Sequence, residues 1–518
     1  MKQILYLLLG CLIPFQFLTA KMYSSPERTP VDYVNPYIGN ISHLLVPTYP
    51  TVHLPNSMLR VYPERENFTG NTINGLPLIV TSHRGSSAFN LSPYQGELQK
   101  AGSIIQYGYD NEVIKPYYYS VDLDDDGMYV QYAPSHQSGI YQIDFSQTDK
   151  PAYLIFNTRD GELKTDGKSI SGYQKLGNHT QVYIYLETDQ QPLKIGTHQG
   201  AVIRTTDKST QGHNAYYILE YPKGTASVLL RYGVSFISSE QAKQNLRREI
   251  KNYNLQAVAD KGRSVWNETL GKIFVKGGTE NEKTVFYTSL YRTYERMICI
   301  SEDSRYFSAY DGQVHDDEGI PFYVDDWIWD TYRATHPLRL IIETEMESNM
   351  VNSLIRMAYQ MQPNWMPTFP EINGDSRRMN CNHGVATVLD AYNKGMRSFD
   401  LAKAYQVCKA AITEKTLAPW SSKPAGVLDQ FYKDHGYFPA LAVGEQETVP
   451  EVHSWERRQP AAVTLGTVYD EWCLGNIAQA LGDKKEADYF LKRSLNYHKI
   501  FNKETCFFHP KDSFGNFI

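Results

Sequence analysis

The chain has 518 residues, which is long for a single domain and predicts two or three. With 42% hydrophobic and 21% charged residues, it has the composition of an ordinary globular protein with a large core. The net charge is -6 and neither sign forms a block. This disfavours nucleic acid as a partner, because a phosphate-binding surface needs clustered basic residues.

The first twenty residues, "MKQILYLLLGCLIPFQFLTA", have one lysine, then an apolar run, then Leu-Thr-Ala. This pattern predicts a cleaved signal peptide over residues 1–20 and a secreted protein of the periplasm or cell surface. The "LLGC" stretch leaves open a lipoprotein anchored through Cys11. No later stretch is long and apolar enough to predict a transmembrane segment.

From Val31 to Phe236 the sequence consists of short alternating runs, such as "GIYQIDF", "AYLIFN" and "QVYIYLE", separated by Gly, Asn and Asp. Such alternation predicts strands, and we expect an antiparallel β-sandwich over residues 31–237. The chain also has 39 tyrosines, a residue type that suits hydroxyl-rich ligands but is also common on strands. We expect most of them simply to lie on strands.

The pattern changes at Ser238, where a potential cap precedes helical spacing of apolar residues. Residues 238–270 are therefore predicted to form a helical linker. From residue 271 to 518, helical segments alternate with long loops rich in Pro, Gly and acidic residues. This favours a helical barrel whose loops build one face.

One of these loops, "GIPFYVDDWIWDTYRATHPL" from Gly319 to Leu338, combines three aspartates with Arg333 and two tryptophans. Carboxylate and guanidinium groups beside aromatic rings are suited to binding a sugar. The alternative is that the aspartates cap a helix and the tryptophans are core residues. Both interpretations stay open on the pattern alone.

Two later loops have the same mixture. The first, "MPTFPEINGDSRRMNCNHGVATVLDAY", contains Glu371, Asp375, Arg377, Arg378 and His383. The second, "HGYFPALAVGEQETVPEVHSWERRQP", contains Glu445, Glu447, Glu451, His453 and Glu456. A single histidine in either loop is consistent with a structural role. Together, however, three such loops could supply the two carboxylates that a glycosidase needs across the scissile bond.

The sequence resembles glycoside hydrolase family 92, the calcium-dependent exo-α-mannosidases of gut Bacteroidetes. "WDTYRATHPL" matches the hallmark of that family almost residue for residue. Further matching segments occur in the family's order: "DYVNPYIGN", "GVSFISSEQAKQNLRREI", "VFYTSLYRTY", "HGYFP", "YDEWCLGNIAQALG" and "KDSFGNF".

The resemblance implies an N-terminal β-supersandwich, a helical linker and an (α/α)6 barrel over residues 271–518. It also implies an inverting reaction on an α-mannoside or related glycan, with a glutamate as acid, an aspartate as base and Ca²⁺ near the sugar. Trp329 and Asp330 match the segment that binds the terminal mannose. From the loop compositions, Arg333, Asp375 and His383 are further predicted substrate-binding residues.

Three departures from the family affect the predicted chemistry. Gly466 stands where the family has its acid, in the run Leu-Gly-Thr-Val-Tyr-Asp-Glu-Trp. The Gly-Asn-Asp-Asp segment that carries the base is not in this sequence, and the N-terminal loop differs. We therefore expect a C-terminally truncated chain with about the first half of the barrel. Glu456, ten residues before Gly466, is the predicted substitute acid, with Glu447 and Glu451 close behind.

Two functions follow as expectations. The first is a secreted, α-mannosidase-like glycosidase, and the second is a non-catalytic glycan-binding protein on the same scaffold. A lyase or phosphorylase of similar architecture is a third possibility without a specific motif.

Overall fold

A computed structural model describes residues 28–41, 48–65, 70–81, 87–123, 127–147, 149–177, 179–200, 202–379 and 382–518. The predicted signal peptide, with Cys11, lies outside the described residues. No helix within the described part of the chain is long and apolar enough to cross a membrane.

The N-terminal part is built from antiparallel strands. They are β1 (Val52–His53), β2 (Arg60–Val61), β3 (Thr72–Asn74), β4 (Leu76–Pro77), β5 (Phe89–Tyr94), β6 (Gln106–Lys115), β7 (Tyr118–Leu123), β8 (Met128–Pro134), β9 (Ser138–Asp144), β10 (Ala152–Thr165), β11 (Ser169–Gly177), β12 (Thr180–Thr188), β13 (Lys194–Gln199), β14 (Val202–Arg204), β15 (Ser209–Tyr221) and β16 (Ser227–Ser235). All except β1 and β2 belong to one 14-stranded sheet.

Strand β10 connects two parts of this sheet because it changes partners along its length. Its first half pairs with β5, from Tyr153 opposite Tyr94, whereas its second half pairs with β11, from Gly161 opposite Gln174. A side chain at Gly161 would collide with the carbonyl oxygen of Tyr173, at 1.9 Å from its Cβ. Glycine is therefore needed where the two backbones approach. The alternating sequence correctly predicted an antiparallel β-sandwich.

Many tyrosines are core residues of this sandwich. Tyr132, Tyr141 and Tyr232 are almost fully buried and pack together, with ring centroids 4.5 Å apart for Tyr132 and Tyr141. The hydroxyls of Tyr141 and Tyr232 donate to the carbonyls of Pro77 and Leu78, each at 2.6 Å. A buried phenol needs such an acceptor, and the carbonyls supply it. These rings serve packing and not ligand binding.

The rest of the described chain is mainly helical. The helices are α1 (Ser239–Glu249), α2 (Leu255–Leu270), α3 (Glu280–Thr293), α4 (Ile328–Thr331), α5 (Thr335–Ile342), α6 (Thr344–Gln360), α7 (Gly384–Asn393), α8 (Leu401–Thr413), α9 (Val427–His435), α10 (Pro460–Ala480) and α11 (Lys484–Arg493). The predicted cap is present, since Ser238 Oγ accepts from the backbone N–H of Gln241 at 3.0 Å.

Short antiparallel pairs lie in the loops between these helices. They are β17 (Ile298–Cys299) with β20 (Tyr323–Val324), β18 (Arg305–Ser308) with β19 (Gln313–Asp316), β21 (Pro370–Glu371) with β22 (Gly374–Asp375), and β23 (Phe501–Asn502) with β24 (Phe507–Phe508). The first and third pairs flank the loops that carry the predicted site residues.

One buried hydrophobic cluster runs through both parts. It includes Val52 of β1, Phe89 of β5, Ile298 of β17, Phe322 just before β20, and Leu354 of α6. The sandwich and the helical region therefore share a core. The predicted fold is confirmed at this level, whereas the (α/α)6 barrel and the predicted domain limits stay predictions.

Candidate functional site

Asp325 lies in the turn after β20 and has a left-handed backbone, with φ of 68°. Its carboxylate accepts from Arg60 Nη2 at 2.5 Å and from Arg296 Nη1 at 3.0 Å. The side chains of Arg60 and Asp325 are only 3% and 2% exposed, so the ion pair is shielded from water. Asp325 thus fastens the turn to β2, in the N-terminal part of the chain.

Asp326 belongs to a buried triad with His336 and Glu347. His336 Nε2 lies 2.9 Å from Asp326 Oδ2, and Nδ1 lies 2.7 Å from Glu347 Oε1. Burial opposes a charge on the ring, but the carboxylates of Glu347 and Asp326 raise the pKa of His336 to about 10. Burial would raise the pKa of Asp326, yet attraction to His336 holds it below its usual value. The triad joins the turn to α5 and α6.

Trp329 and Asp330 follow on the single turn of α4 and face solvent, with 37% of Trp329 exposed. The N-cap of α4 is Trp327, without a side-chain capping bond, so the expectation that aspartates cap this helix is wrong. Partial desolvation and the neighbouring Asp326 raise the pKa of Asp330. Arg333 is exposed, and its Nε donates to the hydroxyl of Tyr332 at 3.0 Å.

Beside α4 lies an open cleft of about 500 Å³. It is lined by Trp329, Tyr332, Arg333, Met379, His383, Glu456, Gln459, Ala462, Leu465, Gly466 and Tyr469. Four of the six predicted site residues, Trp329, Arg333, His383 and Glu456, therefore meet in one cavity. They come from the three loops that the sequence singled out.

His383 is the N-cap residue of α7 and is 5% exposed. Its Nδ1 lies 2.7 Å from Oδ1 of Asp470, and because a carboxylate only accepts, Nδ1 carries the proton of this bond. The ring packs against Tyr332 at 4.3 Å between centroids. The other carboxylate oxygen of Asp470 accepts from the backbone N–H of Asn382 at 3.2 Å. Asp470 thus fixes the imidazole in the cleft wall.

Gly466 and Glu456 both line the cleft, the first on α10 and the second in the loop before it. Glu456 Oε2 accepts from Gln459 Nε2 at 2.5 Å, and its backbone N–H donates to His453 Nδ1 at 3.3 Å. A carboxyl group is therefore present in the cavity whose wall contains Gly466, the residue that the family resemblance predicts to replace the acid.

The other two glutamates are less suited to act as an acid. Glu447 accepts from Arg458 Nε at 2.6 Å and Nη2 at 2.8 Å, and this bond lowers the pKa of Glu447. Glu451 packs against Gly426. Neither residue lines the cleft.

Asp375 lies outside the cleft lining and its side chain is 1% exposed. Its carboxylate accepts from the backbone N–H groups of Thr368 (3.1 Å), Phe369 (2.9 Å) and Arg377 (3.0 Å). These bonds hold the β21–β22 turn together. The geometry favours a structural role for Asp375, although its predicted substrate contact stays untested.

Sequence reasoning did not assign a role to Tyr332, Tyr469 or Asp470. The structure places the two tyrosines in the cleft wall and Asp470 behind His383. All three lie within segments that match the family, "WDTYRATHPL" and "YDEWCLGNIAQALG". Membership of these segments could have identified them as candidate site residues. Their roles depend on contacts between residues far apart in the sequence, 87 positions in the case of His383 and Asp470, which no local pattern contains.

The described residues show no ready-made cluster of acidic side chains for the Ca²⁺ that the family resemblance implies. Within those residues, no group of three or more His, Cys, Asp or Glu side chains is arranged to hold a metal ion. The carboxylates of Asp325, Asp326 and Asp375 are already engaged by arginine, histidine or backbone N–H groups.

Solved structures similar to this chain include an inverting mannosidase of family 92 from Bacteroides thetaiotaomicron. The TM-score is 0.84 with 26% sequence identity, over 96% of this chain and 68% of that chain. An α-mannosidase of the same family and organism, in complex with mannoimidazole, has a TM-score of 0.82 and 21% identity, over 95% and 66%. The second likeness concerns the fold alone.

A secreted glycosidase of Arthroderma benhamiae, described as uncharacterized, is 22% identical over 569 residues, with 97% of this chain and 66% of the relative covered. The chain thus spans slightly less than two thirds of this relative's length. The model of the glycosyl hydrolase family 92 N-terminal domain matches residues 33–235, and that of the family's catalytic domain matches residues 241–518. This chain therefore belongs to glycosyl hydrolase family 92.

Proposed function

We propose that the protein is a secreted glycosidase that removes a terminal α-linked mannose or related sugar from a glycan, with inversion. The observation that carries the proposal is the single cleft in which Trp329, His383 and Glu456 meet. Trp329 offers a stacking face, His383 a fixed hydrogen-bonding group and Glu456 a proton. The name of the similar structure that is 26% identical, an inverting mannosidase, supports mannose as the sugar.

In this proposal Glu456 is the general acid. Protonation of the glycosidic oxygen by a carboxylic acid lets the leaving group depart as an alcohol, while a second carboxylate activates water on the opposite face of the sugar. The bond from Gln459 Nε2 holds the Glu456 carboxyl at the cleft wall and leaves its other oxygen for the substrate. His383, fixed by Asp470, binds a sugar hydroxyl and does not take part in proton transfer.

The test is hydrolysis of 4-nitrophenyl α-mannopyranoside by the full chain and by a Glu456→Gln variant. We expect the variant to lose at least about 100-fold in kcat, because glutamine keeps the shape and the bond to Gln459 but has no proton to donate. The assay is run with added Ca²⁺ and with a chelator, since the family resemblance implies a calcium-dependent reaction.

The matched control is Glu504→Gln, which alters an exposed carboxylate outside the cleft lining and is expected to leave turnover at the wild-type level. Equal turnover by wild type and Glu456→Gln would end the assignment of Glu456 as the acid. Absence of activity in the wild type, with retained binding of methyl α-mannoside, would instead favour the second function.

That second function is glycan binding without catalysis. The specific observation in its favour is Gly466, which lines the cleft at the position of the family's acid and has no proton to donate. The binding wall with Trp329 and His383 would serve a binding protein equally well. Calorimetric binding of a mannoside without release of free mannose would distinguish this function from the first.

A further inference from the structure

A second cavity, of about 310 Å³, lies on the outer face of the β-sandwich, between α1 and the strands β10, β11 and β12. Its lining includes, on the strand side, Lys164, Ser171 and Tyr185 and, on the helix side, Ser239, Glu240 and Lys243. Ser239 Oγ donates to the carbonyl of Gly172 at 3.2 Å, which fixes the start of α1 on β11. The lining residues of this cavity and of the cleft are entirely different, so the two are separate sites.

Three tyrosines lie next to one another on this outer face. Tyr173 of β11 is directly opposite Tyr183 of β12, and their ring centroids are 6.1 Å apart. Tyr185 comes two residues after Tyr183, so its side chain lies on the same side of the sheet, opposite Ser171. All three are half-buried, whereas Ile184 between the last two points into the core and is 0% exposed. We call Tyr173, Tyr183 and Tyr185 the tyrosine face.

The tyrosine face differs from the buried tyrosines of the sandwich in its hydrogen bonds. The buried hydroxyls donate to backbone carbonyls, whereas Tyr183 donates to Gln181 Oε1 at 2.9 Å and Tyr185 to Glu187 Oε2 at 3.2 Å. Strand propensity accounts for a tyrosine at any single exposed position. Three adjacent rings with a polar cavity at their edge provide, in addition, a flat apolar surface with a polar rim.

The charges around the cavity balance. Lys164 Nζ lies 3.2 Å from the carboxylate of Glu162, and Lys243 Nζ lies 5.3 Å from the ring centroid of Tyr185. The carboxylate of Asp166 accepts from two backbone N–H groups of its own turn, each at 2.8 Å. The lining has two lysines and two acidic residues, so it favours neither an anion nor a cation. A neutral ligand with hydroxyls at its edge and C–H groups on its faces matches this surface.

Strand β11 connects this surface to the helical region. One end of β11 borders the cavity at Ser171, and near the other end the carbonyl of Leu176 accepts from Asn373 Nδ2 at 3.2 Å. Asn373 belongs to the β21–β22 turn, in the same loop as His383 of the cleft wall. A ligand on the tyrosine face is therefore bound to a strand that contacts the site loop.

From this arrangement we propose that the tyrosine face, together with the cavity beside α1, is a second carbohydrate site that binds a neutral glycan chain independently of the cleft. The inference extends the proposed function, and it rests on that function for the choice of a mannose-containing glycan. A polymer held on the sandwich has its chain ends kept near the helical region. This raises their effective concentration at the cleft without any new contact there.

The experiment is electrophoresis of the full chain in native gels that contain increasing amounts of soluble α-mannan. We expect the mannan to retard the wild type, and the dependence of mobility on mannan concentration gives the dissociation constant. We expect Tyr183→Ala to weaken binding at least about 10-fold, because it removes the central ring of the tyrosine face. The matched control is Tyr359→Ala, which removes an exposed tyrosine on α6 outside both cavities and should leave the retardation unchanged.

A second variant tests the site without truncating a ring. Ser171 is half-buried and lies opposite Tyr185, so Ser171→Arg fills the cavity and covers that ring. We expect it to weaken mannan binding at least about 10-fold as well. Circular dichroism spectra show whether each variant is folded, and if Tyr183→Ala is not, Ser171→Arg decides. Wild-type retardation in folded Ser171→Arg would overturn the proposal.

An Ala462→Trp variant separates this inference from the proposed function. Ala462 is exposed on α10 and lines the cleft but not the second cavity, so tryptophan there blocks the cleft alone. We expect Ala462→Trp to keep the retardation by mannan. Loss of retardation in this variant would show that mannan binds only in the cleft, and the second site would be wrong.

Turnover of 4-nitrophenyl α-mannopyranoside by the wild type completes the comparison. Turnover without retardation by mannan would overturn the second site and leave the proposed function intact. Retardation that depends on the tyrosine face, without turnover, would support the second site while the proposed catalytic function fails.

Discussion

His383 depends on Asp470 for its orientation in the cleft. The 2.7 Å contact to Oδ1 requires the proton on Nδ1, which leaves Nε2 as the acceptor for a ligand hydroxyl. Asparagine at position 470 could instead present its NH₂ group to the ring and so favour the opposite tautomer. The substitution Asp470→Asn would then exchange the donor and acceptor nitrogens of the His383 ring.

We therefore expect Asp470→Asn to weaken binding of methyl α-mannoside by about 10-fold, which corresponds to the loss of one hydrogen bond between His383 and the sugar. Calorimetric titration measures this change, and thermal unfolding is followed in parallel. The matched control is Asp390→Asn on α7, whose carboxylate pairs with Lys394 at a half-exposed position. Unchanged affinity in Asp470→Asn would show that the imidazole does not contact the sugar.

Sequence patterns predicted the residue types of the site better than their individual roles. Trp329, His383 and Glu456 come from three different predicted loops and line the same cleft. Asp325 and Asp375 occur in the same kind of acidic, aromatic surroundings, yet arginines and backbone N–H groups engage them. Composition alone does not reveal which carboxylate is engaged within the protein, because burial and local hydrogen bonds decide it.

At the scale of elements, the buried triad of Asp326, His336 and Glu347 connects the turn before α4 to α5 and α6. The two carboxylates and the imidazole ring are buried and contact one another directly. Arg339 adds a further positive charge near Asp326. The ring is charged at neutral pH because its pKa is raised to about 10. The triad thus positions the element that carries Trp329.

The raised pKa predicts how stability changes with pH. Because the pKa of His336 is about 10 in the folded chain against 6.5 in the unfolded chain, its contribution is fully present below pH 6.5. This contribution is lost as the pH rises towards 10, by roughly 1.4 kcal/mol per pH unit at most. Urea unfolding at a series of pH values between 6 and 10 measures the slope.

The control for this prediction is His336→Gln, which keeps hydrogen-bonding capacity but cannot take a charge. We expect the variant to be less stable at pH 6 and to show a smaller dependence on pH over the same range. If both proteins lose stability in parallel up to pH 10, other groups cause the loss and the triad is not the source.

Elements with strong periodicity were predictable, whereas their connections were not. Alternation in "AYLIFN" and "QVYIYLE" correctly indicated strands, now within β10 and β12. The change of partner along β10 had no local signal except Gly161, which a single sequence does not distinguish from a turn residue. Long-range pairing of this kind depends on close packing between distant segments.

For the molecule as a whole, the shared core and several buried polar contacts join the two parts. Trp266 on α2 donates from Nε1 to the carbonyl of His53 at 2.7 Å, and Asn56 donates to the carbonyl of Met297 at 2.6 Å. Arg60 of β2 reaches the turn at Asp325. Such buried contacts couple the stability of the sandwich to that of the helical region.

We therefore expect one cooperative urea transition, which two probes can test. All seven tryptophans lie at or after residue 266, so their fluorescence reports the helical region and its contact with the sheet, whereas far-ultraviolet circular dichroism also reports the sandwich. Coincident transitions indicate coupling. A second transition seen in circular dichroism alone would mean that the sandwich unfolds separately, and would contradict the expected coupling.

An Arg60→Met variant sharpens this test. Removal of one partner from a buried ion pair costs about 3 kcal/mol, and Arg296 still faces Asp325 in the variant. If the two parts are coupled, both probes shift to lower urea together, because β2 of the N-terminal part and the site loop lose the same contact. The control Lys484→Met removes an exposed pair, with 86% of the lysine side chain accessible, and should change stability by less than about 0.5 kcal/mol. A shift confined to tryptophan fluorescence would mean that Arg60 stabilises only the helical region, and that the cleft can be lost while the sandwich remains folded.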